Sequence, residues 1–344
     1  MRLTHELVTV HTRYPFAIAR GTTSEYTLVT VRVTDDDGLE GWGEAAPNRF
    51  YGETAGTVVA ALERLAPVVA LADAWSLEAL EAEMQRALRF NGSARSAVSA
   101  AMHDLVAKRL GVPLYRLWGL DAAASPPSSY TIGIAPHDEL VRRVRAAGEY
   151  PILKVKLGTA RDQEIIRTVR ETAPDKILRV DANAAWTPKY ALEMVPLLAE
   201  LGVEFVEQPV AAQDLDGLRF VRERSTLPII DDESCVTAAD VARLAGVADG
   251  INIKLSKCGG LREALRMVAV ARAQGMLVMC GCMIETSLGI TAAAHFASLL
   301  DCADLDGAAL LADDPFEGAT IHGGRIELPS AAGLGVQRRS AVSG

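Results

Sequence analysis

Residues 152–158 read Ile152-Leu153-Lys154-Val155-Lys156-Leu157-Gly158. Apolar residues alternate with two lysines and a glycine follows, which is the period-two pattern of a β-strand and its end. Side chains two apart in a strand point the same way, so Lys154 and Lys156 share a face. Two ammonium groups held side by side lower one another's proton affinity, as a general base requires. Alone, the stretch also reads as a surface edge strand with two solvated lysines. The residues downstream decide between these readings.

Short apolar strands recur after it, each followed by a helical pattern. They read as 130–134, 152–157, 177–180, 203–206, 228–230, 250–253 and 276–280, with a weak one near Asp304. The charged residues that end them are evenly stepped: Lys156, Asp181, Glu207, Asp232 and Lys254 lie 25, 26, 25 and 22 residues apart. A repeat of that length is one βα unit, and about eight of them point to a parallel β/α barrel. Residues 164–172 and 261–273 carry the amphipathic spacing of outer-ring helices.

Residues 1–45 read as antiparallel strands, with a turn at Asp35-Asp36-Asp37-Gly38. Two pieces, 20–24 and 47–52, read as mobile loops suited to binding. Residues 57–65, 77–88 and 93–110 read as helices. A Pro/Ser-rich linker at 121–129 marks a boundary near residue 125. The expected organisation is an N-terminal α+β domain over 1–125, a barrel over 126–315 and a segment over 316–344 that packs back on the first domain.

The 344 residues carry 44 acidic and 35 basic side chains, a formal charge of −9. That balance argues against a nucleic-acid or anionic-membrane surface and suits a bound cation. Five cysteines, all between Cys235 and Cys302, do not form a secreted disulfide framework. No signal peptide and no bilayer-length apolar run is present, so a cytoplasmic setting is expected.

In a parallel barrel every strand C-terminus opens on one face, so Asp181, Glu207 and Asp232 converge there. Three carboxylates at one mouth need a cation, and an all-oxygen donor set is the magnesium pattern. Alternation alone does not choose between Asp231 and Asp232. Lys254 ends the sixth barrel strand and Lys156 the second, diametrically opposite in a barrel of eight. Two bases on opposite faces of one carbon allow a proton to leave one face and return on the other.

Lys154-x-Lys156, Asp181-x-Asn183, Glu207-Gln208-Pro209, Asp232-Glu233-Ser234 and Lys254-x-x-Lys-x-Gly-Gly260 together resemble the enolase superfamily, in its muconate-lactonising subgroup. The use of Lys bases with magnesium in that superfamily is a standard example of tuned acid–base chemistry. The resemblance implies a modified (β/α)7β TIM-type barrel with an N-terminal α+β capping domain whose loops close over the mouth. It implies Mg2+ on Asp181, Glu207 and Asp232, with Lys156 and Lys254 as bases and Lys154 assisting. Asn183 and Asp231 would support the ligands.

Within the subgroup the pattern is similar to dipeptide epimerases of the L-Ala-D/L-Glu type, through Asp304-Leu305-Asp306, a pair that would hold a dipeptide ammonium. Met283 and Ile284 would line the substrate, with Thr131, Arg20 and Tyr51 around it. Arg20 stands about one residue from the family position that pairs with a glutamyl side chain. A homo-oligomer is the expected assembly. The alternatives are an o-succinylbenzoate synthase or N-succinyl-amino-acid racemase, a Schiff-base aldolase, and a non-catalytic barrel.

Overall fold

The computed structural model describes residues 1–340; the last four residues of the expected closing segment lie outside them. The chain opens with an antiparallel meander, β1 (Arg2–Ile18), β2 (Gly21–Thr34) and β3 (Glu40–Ala45). Asp35 makes the turn before β3, its Oδ1 accepting from Asp37 N and Leu39 N at 2.9 Å each. The 20–24 segment is not the loop its sequence suggested. Ile18 pairs with Gly21, Ala17 with Thr22 and Phe16 with Thr23, leaving only Ala19 and Arg20 to turn the chain. This end of the ribbon is exposed around 21–25, so no apolar face marks it as strand. The 47–52 piece is a connection tightened by a 3-10 turn, Arg49–Tyr51, with Asn48 Oδ1 accepting from Phe50 N at 2.9 Å.

Three helices follow: α1 (Ala55–Leu71), α2 (Leu77–Ala87) and α3 (Gly92–Arg109). α3 is buried from Gly92 through Ala107. Its alanines make this possible. A Cβ on Gly41 would lie 1.9 Å from Ala101 O, and one on Gly43 would lie 2.0 Å from Ala97 O. The Gly-Trp-Gly run of β3 therefore serves close strand-on-helix packing.

The barrel strands are β4 (Tyr130–Ile132), β5 (Ile152–Lys156), β6 (Ile177–Asp181), β7 (Val203–Glu207), β8 (Ile229–Asp231), β9 (Gly250–Ile253), β10 (Leu277–Gly281) and β11 (Cys302–Asp304). They pair in parallel in that order. Ser129 N donates to Ala303 O at 3.0 Å, joining the two ends of the sheet. Each pair of consecutive strands is joined through helix, the first His137–Ala146 and the last Ser287–Ala294, with a single turn, Leu255–Cys258, preceding the helix Leu261–Ala273. The expected (β/α)7β barrel with an α+β cap is the observed fold. The helix expected at 261–273 is Leu261–Ala273.

Alternation sorts the barrel side chains. Leu153, Val155, Leu178, Val180, Ile229, Ile251 and Ile253 face the helical ring. Phe205, Ile230, Met279 and Cys302 form a small cluster of their own inside. The inward positions above that plug carry Lys154, Asp181, Glu207 and Asn252. Past β11, Leu334 N donates to Asp104 Oδ1 of α3 at 2.7 Å and Arg338 pairs with Glu6 of β1 at 2.6 Å, so the closing segment touches the cap. Among the described residues, no helix is long and apolar enough to cross a membrane.

Candidate active site

The strand ends converge as their sequence spacing implied. Lys154 Nζ lies 2.7 Å from Glu207 Oε2, 2.8 Å from Asp304 Oδ2 and 3.4 Å from Asp181 Oδ2. Lys156 Nζ lies 2.6 Å from the same Asp181 oxygen. Lys254 Nζ bonds Asp232 Oδ2 at 2.7 Å. β5 and β9 are separated by β6, β7 and β8, so Lys156 and Lys254 face one another across the carboxylates.

The electrostatics of Lys154 reverse the expectation drawn from the two lysines alone. Burial would lower its pKa, but Asp304, Glu207 and Asp181 together raise it well above the usual lysine range. The carboxylates arriving from β6, β7 and β11 outnumber the neighbouring ammonium. Burial likewise works against Lys254, and Asp232 raises it. Burial opposes the ionised form of Asp181, yet Lys156 and Lys154 hold it below the ordinary range. Glu207 is pushed up to about 7 by burial and by Asp181.

Asp232 rather than Asp231 enters the mouth. Ile230 belongs to the inner plug, so Asp231 turns outward and Asp232 inward. Lys257 Nζ grips Asp232 Oδ1 and its carbonyl at 2.5 Å each, and Asn252 O at 2.9 Å. Gln208 Oε1 accepts from Asp232 N and Glu233 N at 2.9 and 2.8 Å. The Asp231 carboxylate, expected to support the ligands, makes no hydrogen bond among the described residues. Burial pushes it up to about 7; the Ser234 hydroxyl eases that rise without reaching hydrogen-bond geometry. Asn183 does support its neighbour: its N and Nδ2 donate to Asp181 at 2.8 and 3.2 Å. Asn183, Ala184 and Gln208 adopt φ of 45°, 64° and 36°, a left-handed cluster beside the carboxylates where stored strain is expected.

The cap completes the mouth. Arg20, at the hairpin tip, donates through Nη1 to Glu233 Oε1 at 2.7 Å and to Asn183 O at 3.0 Å, and stacks over Phe50 at 4.6 Å. Burial and the charge of Asp232 and Glu233 push the Tyr51 phenol up. At β11, Asp304 Oδ1 accepts from Ser129 Oγ at 2.5 Å, and Asp306 Oδ2 from Thr131 N at 2.6 Å. Burial and then Asp304 push Asp306 up to about 7. Met283 N donates to Glu285 Oε1 at 2.9 Å, and Ile284 packs with Val10, Leu28 and Ala46 of the cap.

Sequence reasoning missed Asn252, whose Nδ2 donates to Glu207 Oε1 at 2.8 Å. Its signal was available: it lies two residues before Lys254, on the same strand face. Glu233 as the partner of Arg20 had no local signal, because 213 residues separate them.

Among the described residues, no three His, Cys, Asp or Glu side chains are already gathered about one point; lysine ammoniums stand between the carboxylates. The donor set nevertheless fits a hard cation. All its members are oxygens. Glu207 Oε2, Asn183 Oδ1, Asn252 Oδ1 and Glu233 Oε2 are buried without a hydrogen-bond partner among the described residues, Glu207 Oε2 facing only the Lys154 ammonium.

A parallel barrel whose mouth opposes two buried lysines across strand-end carboxylates has the side chains of an acid–base enzyme. Family models agree on which: residues 137–342 match "Enolase C-terminal domain-like" and residues 2–119 match "Mandelate racemase / muconate lactonizing enzyme, N-terminal domain". An L-Ala-D/L-Glu epimerase of Bacteroides thetaiotaomicron is 40% identical, over 98% of this chain and 88% of that one. A dipeptide epimerase of Enterococcus faecalis, solved with Mg and L-Leu-L-Tyr, superposes with a TM-score of 0.94 at 33% identity, covering 98% of this chain and 99% of that one. A substrate-liganded L-Ala-D/L-Glu epimerase of Bacillus subtilis gives 0.94 at 35%, covering 98% of each chain. The chain belongs to the mandelate racemase and muconate-lactonising branch of the enolase superfamily. It is an isomerase of the racemase and epimerase kind.

Proposed function

We propose that this enzyme epimerises a dipeptide at the α-carbon of its second residue, with Mg2+ and two lysine bases. The observation that carries the reading is the opposition of Lys156 and Lys254 across Asp181, Glu207 and Asp232, with Asp304 and Asp306 beside them. The names of the relatives support dipeptides as the substrate class.

Asp181, Glu207 and Asp232 would hold the magnesium ion. When bound, it offsets the negative charge that develops on the substrate carboxylate as the α-proton leaves. Asp181 and Asp232, which would hold the ion, are the carboxylates that Lys156 and Lys254 bond. One lysine then removes the α-proton and the opposite ammonium returns one to the other face of the enediolate. Lys154, fixed beside Glu207 and Asp304, neutralises the substrate carboxylate. Asp304 and Asp306 receive the terminal ammonium, while Thr131 holds Asp306 in place. Met283 and Ile284 line the chain between. Arg20 uses only Nη1 among the described residues, so Nε and Nη2 remain an open fork for an acidic second side chain beside Tyr51.

The functional division is a cap over 1–125, a barrel over 126–315 and a closing segment from 316. All five cysteines are free thiols, which suits a cytoplasmic enzyme. The alternative superfamily activities, o-succinylbenzoate synthesis and N-succinyl-amino-acid racemisation, have no use for an ammonium site at Asp304 and Asp306. A dipeptide library in deuterated water, read by mass for α-deuterium, tests the reading. L-Ala-L-Glu is expected among the best substrates; preference for an N-succinyl amino acid over every free dipeptide refutes it.

A further inference from the structure

The barrel does not hold Lys254 alone. Lys254 leaves β9 in an extended conformation, and Leu255–Cys258 follow as one helical turn closed by Gly259 at φ 87°. Lys257 N and Cys258 N both donate to the Lys254 carbonyl at 3.0 Å, so the turn and the lysine move together.

The N-terminus of α3, a cap element, lies on this turn. A Cβ on Gly92 would sit 2.4 Å from Lys257 O and 2.5 Å from Ser256 O, where ordinary contact begins near 3.4 Å. Gly92 is not among the positive-φ residues, so the glycine serves this approach rather than a special backbone angle. Ser93 extends the contact. Its Oγ lies 3.5 Å from Ser256 O and 3.1 Å from Ala46 O, and also bonds a carboxylate oxygen of Glu53. Its N–H donates to the other Glu53 oxygen at 3.3 Å. Glu53 N in turn donates to Asn48 O at 3.2 Å, which ties in the connection bearing Tyr51.

We infer that Gly92 and Ser93 are positioning residues for Lys254: the capping domain, through the start of α3, fixes the height of this base by a contact separate from that of Ala19 against Gly158 beyond Lys156. Lys156 stands four strands away on β5, outside this contact. The inference rests on the two-base reading above. A methyl group at residue 92 forces the turn back by the difference between 2.4 and 3.4 Å. A misplacement of about 1 Å is enough to slow a positioned reaction about a hundredfold.

The test measures α-proton exchange in deuterated water separately from L-Ala-L-Glu and L-Ala-D-Glu. Lys156→Ala and Lys254→Ala first show which epimer depends on which lysine. Gly92→Ala should then slow exchange from the Lys254-dependent epimer by about a hundredfold and leave the other near wild type. Ser93→Ala, which creates no overlap, should shift the same ratio in the same direction by less, and it carries the test if Gly92→Ala fails to fold. A merely structural role lowers both epimers together. Equal losses, or none, in both variants beside an asymmetric Lys254→Ala overturn this inference alone. If Lys254→Ala slows both epimers alike, the two-base reading falls, and this inference with it.

Discussion

Lys257 stands three residues after Lys254 with its Nζ committed to Asp232 and Asn252, and Lys257→Met separates its role from that of the proposed bases. Its side chain is fully buried, and Nζ satisfies three oxygens: Asp232 Oδ1 and Asp232 O at 2.5 Å and Asn252 O at 2.9 Å. Methionine keeps the length of the stem and removes the charge. One buried carboxylate loses an ion partner, and two carbonyls at the ends of neighbouring strands lose a donor. Breaking a buried pair in this way costs about 3–5 kcal/mol; the Asp232 carbonyl keeps a second donor, Cys235 N at 3.2 Å. The matched control is Lys254→Met. Asp232 then keeps Lys257, and no carbonyl loses a donor, so the loss of stability should be smaller while epimerisation stops. Urea unfolding of the metal-free protein reads both, as a shift in midpoint at unchanged slope. If Lys257→Met unfolds with the wild-type midpoint, or costs no more than Lys254→Met, Lys257 is not the strut between β8 and β9.

Asp232→Asn should abolish magnesium binding in titration calorimetry, whereas Asp231→Asn should leave it close to wild type because Asp231 faces the helical ring. N-acetylating a good dipeptide should lower kcat/KM by at least about a hundredfold, since Asp304 and Asp306 are then left facing a neutral amide; an unchanged value would count against the ammonium site. Glu44 supplies a pH test. Its carboxylate is buried against Thr286, accepting from Thr286 N at 2.9 Å, and burial pushes its pKa from 4.5 up to about 8. The folded state therefore keeps a proton that the unfolded chain releases. This stabilises the fold fully below pH 4.5 and is lost as pH rises through about 8, by at most about 5 kcal/mol for one such group. Unfolding free energies of Glu44→Gln measured from about pH 5 to 8.5 should show a flatter decline than wild type; parallel curves would disprove the assignment.

The barrel was legible because its strands are buried on both faces. Short apolar runs punctuated by one inward charge leave little freedom of register, and strand bounds fell within a residue or two of those read. The paired carboxylates were legible for the same reason. What failed was anything decided by partners distant in sequence. The hairpin tip at 20–24 has no buried face, so only its pairing with 16–18 reveals it as strand. The charge state of Lys154 could not be read from Lys156 two residues away, because Glu207 and Asp304 reach it from 53 and 150 residues downstream. Asp231 and Asp232 were separable only once Ile230 was seen to enter the inner plug.

Arg20 projects from a two-residue turn at the end of a ribbon that carries no catalytic group. On the reading proposed above, the barrel would carry the two bases and the ammonium site, and the ribbon tip would bring a guanidinium to the second side chain. A β-strand advances about 3.3 Å per residue, so adding or removing one residue pair at Ala19-Arg20 would slide the guanidinium by about that much against a mouth where Ala19 packs on Gly158, just past Lys156. On that reading, the length of the hairpin would act as a ruler for the second side chain the guanidinium can reach.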